Sequence, residues 1–492
     1  MSTPSSTTTA TPGVLDRFFK ISARGSTVGR EVRGGLVTFF AMSYIIVLNP
    51  LIIGTVADGS GSFIGGDEGL AVARVAAATA LVAGLMSILM GLVANFPLAL
   101  AAGLGLNAVV AFSIAVLPDM TWPDAMGLVV IEGLIILLLV LTGFREAVFR
   151  AVPKELRTAI SVGIGLFIAF IGLVDAGIVR IPASLATPVE LGNAGSLAGW
   201  PALVFVIGLL TAIVLHLRKV RGALLIAIIG ATVLAIVIEA IAQVGGAFNE
   251  DGTPNPNGWR LNSPELPDTW VRMPDFALLG QFSLLGSLEK IGLVTMVLLV
   301  FSLLLADFFD TMGTMVAVGS EGKLLDAEGN PQGTRRILVV DSIAAAAGGM
   351  GSVSSNTSYI ESAAGVGDGA RTGLASVVTG VAFLLATFLA PVVDLVPYEA
   401  ATPALVVVGF LMMTQVTGVD WKNGEVAIPA FLTIVLMPFT YSITAGMGAG
   451  FIAYVVIKVA LGKARVVHPL MWVTAVLFVL YFVRGPLQAL AG

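Results

Sequence analysis

The stretch SVSSNTSYIESAAGVGDGARTG, Ser352 to Gly373, lies between two strongly apolar segments, so its position calls for a membrane crossing while its composition does not. It carries Ser, Thr and Asn side chains and a carboxylate, Glu361. A charged acid at the centre of a membrane helix costs roughly 2.5 to 3.5 kcal/mol even on lenient scales, so an acid there is read first as a functional group. Length is a second oddity. Ser352 to Val366 as one helix would reach only about 22 Å, against about 30 Å of hydrocarbon. About five extended residues, Ser352 to Asn356, followed by a helix from Thr357, would reach about 31 Å. The expectation is a broken element, with Asn356 or Thr357 capping a half-helix whose free N–H groups aim at the membrane centre. Irregular backbone at that depth survives only inside protein or along a cavity, as at a transporter's binding site.

The rest of the chain supplies the membrane context. Hydrophobic residues make up 57% of its 492 residues and charged ones 12%, which describes a polytopic membrane protein and not an anchored globular enzyme. With no Cys, disulfides, thiolate metal sites and Cys nucleophiles are excluded, and with two His a His-rich metal site is out of reach. No metal and no cofactor is expected. A net charge of -5 spread over loops argues against nucleic acid. Residues 1–13, rich in Ser, Thr and Pro, read as a disordered tail, and no apolar run before Gly35 suggests a cleaved signal.

Fourteen apolar stretches follow, at 35–56, 71–94, 98–117, 124–143, 156–175, 200–217 and 222–243, then 289–318, 335–350, 352–366, 371–393, 401–417, 425–442 and 444–461. Arg17, Lys20, Arg24, Arg30 and Arg33 crowd the start of the first, which places the N-terminus in the cytoplasm. Each later loop then has a fixed side. Arg145, Arg150, Lys154 and Arg157, then Arg218, Lys219 and Arg221, then Arg335 and Arg336 all fall inside, while the outer loops lean acidic. Two segments sit outside this count: the outer stretch 245–288, whose end is expected along the interface, and a run at 466–483, either a fifteenth span or a surface helix.

Seven spans followed by seven put the second half upside down relative to the first, an inverted repeat. The tenth span then corresponds to the third, where PLALAAGLGLNAVVAF (Pro97 to Phe112) runs through Gly103 and Gly105 before Asn107 opens a helical pattern. Two interrupted segments at matching places are the best sequence pointer to a midplane site. In the eighth span, ADFFDTMGTMVAVG, residues Asp307, Asp310, Thr311 and Thr314 fall at i, i+3, i+4 and i+7, so one helix face is expected to be polar. Glu132, Glu239, Asp175 and Asp341 have no polar companions at helical spacing and read as structural. For Asp307, Asp310, Glu361 and Asn107 the competing reading is an acid or amide satisfied by a neighbouring helix end. Without Lys or Arg in mid-span, the carboxylates and the amide suit a neutral planar molecule rich in N–H donors, as a nucleobase is.

The segments FFAMSYIIVLNP (Phe39 to Pro50), GLGLNA (Gly103 to Ala108), ADFFDTMGT (Ala306 to Thr314) and TSYIESAAG with its sequel GARTGLASVVTG (Thr357 to Gly380) resemble purine permeases of the nucleobase–cation symporter 2 group, in the AzgA-like branch. The resemblance implies a uracil-permease-like, all-α fold: fourteen spans in two inverted repeats, the third and tenth broken. It implies a core domain of 35–143 and 289–393 and a gate domain of 156–243 and 401–461. It also implies import of adenine, guanine or hypoxanthine across the plasma membrane by proton symport, with Na+ left open. Asp307 and Glu361 look like the substrate-binding acids, Asn107 a binding-site residue and Asp310 a residue needed for transport. Asn356 and Thr357 complete the expected substrate site, and Asp307 with Asp310 is expected to carry the proton. Gate domains of this kind resemble ones that pair, which leaves a homodimer open. The uracil branch has a His where this chain has Thr311, so the proton route need not be shared. Two other readings compete: an anion transporter or channel of the same fold, and an intramembrane aspartyl protease, from the GxGD string Gly365-Val366-Gly367-Asp368.

Overall fold

A computed structural model of the chain describes residues 13–66, 68–143, 152–182, 187–193, 195–249, 253–266, 269–326, 330–393 and 395–491. The expected disordered tail, 1–13, lies outside these apart from Gly13. Among the described residues ten helices are long and apolar enough to cross a membrane. The first half contains α1 (Val28–Met42), α2 (Ile45–Ile53), α3 (Glu68–Leu89), β1 (Leu100–Ala102), α4 (Leu104–Val109), α5 (Trp122–Thr142), α6 (Lys154–Asp175), α7 (Trp200–Leu217) and α8 (Ala223–Ala242). The second half contains α9 (Gly286–Glu321), α10 (Thr334–Met350), β2 (Asn356–Ser358), α11 (Ser362–Gly367), α12 (Gly373–Ala386), α13 (Pro403–Met413), α14 (Gly424–Phe439) and α15 (Ile443–Ala460). Most of the 466–483 run, from Pro469 on, falls in a further helix, α16 (Pro469–Ala491), packed on α15 and α9. The loop before α9 leaves Leu279, Leu284 and Leu285 exposed. Its Gly280 N–H bonds Met350 O and its Ser283 N–H bonds Pro123 O, which ties it to the ends of α10 and α5.

Local sequence sets several helix starts. Thr121 and Asp124 close a capping box at α5, and Thr27, Thr372, Asn423 and Ser442 accept from the first-turn N–H groups of α1, α12, α14 and α15. Where the chain must change direction inside the first apolar stretch, Ser43 and Tyr44 separate α1 from α2.

The packing pattern shows the repeat. α5 lies on α10 as α12 lies on α3; α1 meets α12 as α9 meets α5; α6 meets α14 as α13 meets α7; α7 pairs with α8 as α14 pairs with α15. Exchanging each segment for its counterpart in the other half leaves these neighbours unchanged. Two pairs map onto themselves, β1 with β2 and α6 with α13, and so lie on the axis of the repeat.

Close approach at α6–α13 requires glycine. A Cβ on Gly409 would sit 2.4 Å from Gly165 O, and one on Gly165 would sit 2.8 Å from Gly409 O. Gly409→Leu should therefore separate these helices at a cost of about 1–3 kcal/mol, lowering the unfolding midpoint of detergent-purified protein. An unchanged midpoint would mean that the contact is not a tight one.

Candidate functional site

The two broken segments meet at the axis. β1 and β2 are antiparallel, with Leu100 opposite Ser358, Ala101 opposite Thr357 and Ala102 opposite Asn356. Gly103 N–H donates to Ser355 O at 3.0 Å and Tyr359 N–H to Ala99 O at 3.0 Å, extending the ladder at both ends. All six strand residues are buried. Each segment thus supplies the backbone partners that the other lacks, and an unpaired peptide group so far from water would be costly.

This ladder corrects the expected cap. Extended backbone continues through Ser358, and α11 begins at Ser362, with Glu361 in its N-cap position and no side-chain cap. Asn356 and Thr357 are strand residues because β1 offers them a backbone partner, and Asn107 lies inside α4 and does not open it.

Polar side chains around β2 fall into two groups. The closed group gathers Asp307 of α9, Glu132 of α5 and Asp341 of α10, each no more than 2% exposed and near enough for their charges to interact. Thr311 Oγ1 donates to Asp341 Oδ1 at 2.9 Å and lies 2.8 Å from Thr357 Oγ1. Ser358 Oγ donates to Asp341 Oδ1 at 2.7 Å, and Ser355 Oγ donates to Glu132 Oε2 at 3.1 Å. Neither Asp307 oxygen has a hydrogen-bond partner in the protein, nor has Glu132 Oε1.

The open group holds Asp310 and Glu361. Asp310 is exposed and Glu361 half-buried, and the charge of Glu361 reaches Asp310. The Tyr44 hydroxyl, placed by the joint between α1 and α2, donates to Glu361 Oε1, while Tyr359 Oη donates to Ala102 O at 2.6 Å. The single polar face expected on α9 is therefore two. Successive residues on a helix point about 100° apart, so Thr311 turns inward with Asp307 while Asp310 does not.

Of the residues expected from the sequence, Asp307 and Thr357 come together, as do Asp310 and Glu361. Asn107 and Asn356 are buried, and none of their four side-chain polar atoms has a partner in the protein. Buried amides are nearly always satisfied, so these atoms have capacity for a ligand or water. Glu132, Asp341, Tyr44, Ser355 and Ser358 escape a reading based on helical spacing because their companions come from other elements. Among the described residues, none of the ion pairs involves Asp307, Glu132, Asp310 or Glu361, and no three acidic or His side chains converge to hold a metal ion. Asp368 of the GxGD string is tied up instead: Arg33 and Arg221 both pair with it.

Comparison with known proteins agrees with this architecture. The family described as the Permease family matches residues 29–449. The guanine/hypoxanthine permease PbuG of Bacillus subtilis is 37% identical, the match covering 95% of this chain and 99% of the relative. The adenine permease AdeP of Escherichia coli is 35% identical, covering 98% and 99%. Among solved structures, the transmembrane domain of the cyanobacterial bicarbonate transporter BicA superposes with a TM-score of 0.56 at 15% identity, covering 86% of this chain and 97% of that one, a likeness of fold. The relatives are permeases, which removes the protease reading: the chain is a membrane transporter, not an enzyme, and belongs to this permease family.

Proposed function

We propose that this protein imports a purine nucleobase (guanine, hypoxanthine or adenine) across the plasma membrane by proton symport, its N-terminus in the cytoplasm. The observation that carries this reading is the near full-length similarity to permeases named for those three bases. The site chemistry supports it. Purines present ring and exocyclic N–H donors, and Asp310 and Glu361 offer acceptors with no cation paired to them among the described residues. Asn107, Asn356 and Thr357 supply further polar groups along the two broken segments. Asp307, in the closed group, carries the proton together with Asp310.

In this reading α1–α5 and α9–α12 form a core that moves against a gate of α6–α8 and α13–α15. Two contacts lie at that boundary, one of them made by Tyr398 in the segment that leads into α13. Tyr398 Oη donates to Thr55 Oγ1 at 2.7 Å, and Arg221 pairs with Asp368.

The second reading, anion transport, is favoured by the fold shared with BicA. The uncompensated carboxyls oppose it, since an anion would meet like charge. Counterflow in proteoliposomes separates the two. Unlabelled adenine, guanine or hypoxanthine inside should drive entry of labelled purine, whereas bicarbonate or sulfate should not. Anion-driven exchange without purine exchange would reverse the assignment.

A further inference from the structure

We infer that Glu132 and Asp307 hold the transported proton jointly, as an acid–carboxylate pair bridging α5 and α9, an inference that rests on the proton-symport reading above. Glu132 has no exposed surface, and its carboxyl lies within hydrogen-bonding reach of Asp307. Two ionised carboxylates are both acceptors and cannot bond each other. That is why both Asp307 oxygens and Glu132 Oε1 stand without a partner. One proton on either acid converts this contact into a donor–acceptor hydrogen bond, and a buried polar group left without one is costly.

The hydroxyls around the pair are few: Thr357, beside Asp307, lies 2.8 Å from Thr311 Oγ1, and among the described residues no ion pair reaches either acid. α10 contributes a third acid, Asp341, already accepting from Thr311 and Ser358. β2 contributes the Ser355 hydroxyl, which donates to the other Glu132 oxygen. The cation nearest along α5 is Lys290 of α9, which pairs with Asp124, about two helical turns from Glu132. α10 also packs closely against α5 next to Glu132. A Cβ on the adjacent Gly133 would lie 2.4 Å from Ala346 N, so α5 and α10 touch beside it.

Loading forms one O–H bond on the pair, and release breaks it, so the pair gains and loses one proton with no other bond changed. Asp307 lies three residues, about one helical turn, from Asp310 on α9, so a proton leaving the pair has the open group as its next acceptor. Acid chains of this kind are how membrane proteins pass protons.

The alternative is that Glu132 merely accepts from Ser355. A Gln would serve that role, and its amide would also give Asp307 the donor it lacks. Glu132→Gln therefore decides the matter. In proteoliposomes it should keep measurable purine exchange yet lose accumulation driven by an imposed pH gradient, falling to the level reached without a gradient. In infrared difference spectra a protonated-carboxyl C=O band present in wild type should disappear in Glu132→Gln and in Asp307→Asn alike. Wild-type accumulation that ignores the pH gradient would overturn the symport reading itself. Wild-type coupling that survives intact in Glu132→Gln would overturn this inference alone. Should Glu132→Gln yield no folded protein, Ser355→Ala replaces it. Loss of that hydroxyl should shift the carboxyl band, and an unmoved band would exclude Glu132 as a proton holder.

Discussion

Glu361→Gln should weaken purine binding roughly 5- to 150-fold, the equivalent of about 1 to 3 kcal/mol for leaving a buried donor facing a donor. The structure sharpens this expectation. The Tyr44 hydroxyl donates to Glu361 Oε1 and so fixes the carboxylate's orientation; the second oxygen is the acceptor we assign to a purine ring N–H. In the Gln variant the Tyr44 hydroxyl still finds an amide oxygen, which leaves the NH2 group directed at the substrate's N–H. A flipped amide would restore the acceptor to the purine but oblige Tyr44 to reorient its hydroxyl. Tyr44→Phe is therefore a useful companion: it removes the constraint while keeping the carboxylate, and should cost less than Glu361→Gln. Titration calorimetry on purified protein measures both. Wild-type affinity in Glu361→Gln would take Glu361 out of the binding site.

The parts of this fold that depend on length and charge are legible in the sequence, and the parts that depend on contacts between distant segments are not. Ser352 to Val366 is too short to cross as a helix and too polar to be ignored, so its break can be inferred from that stretch alone. Where the helix restarts cannot. Ser358 stays extended because Leu100, in the other half of the chain, pairs with it. The same limit applies to the site. Asp307, Thr311 and Thr314 announce themselves by helical spacing, and all three are buried on one side of α9. Glu132 and Asp341 look isolated because each has apolar neighbours on its own helix, and only the packing of α5, α9 and α10 around β2 gives them polar company. Tyr44 reads as one more aromatic near the first span. Its role depends on the joint between α1 and α2, which turns its hydroxyl to Glu361.

Asp307→Asn should retain purine exchange while abolishing uphill uptake. Asp307 is fully buried, and neither of its oxygens is partnered within the protein. Its nearest charged neighbours are the acids Glu132, Asp341 and Asp310. A charge on such a group is uncompensated by any ion pair among the described residues, whereas its protonated form is neutral. Asn reproduces that neutral form in shape and adds a donor that Glu132 can accept, so the closed group should stay folded. What Asn cannot do is release a proton, so the cycle loses its coupled charge. In wild type each neutral purine would enter with one positive charge, worth about 2.3 kcal/mol per 100 mV, or roughly 50-fold accumulation before any pH gradient is added. The variant should equilibrate purine across the membrane and go no further. Proteoliposomes with an imposed pH gradient in Na+-free buffer, wild type beside Asp307→Asn, provide the measurement. Wild-type uptake that needs Na+ and is indifferent to the pH gradient would rule out the proton mechanism, and accumulation surviving in the variant would clear Asp307 of the coupling role.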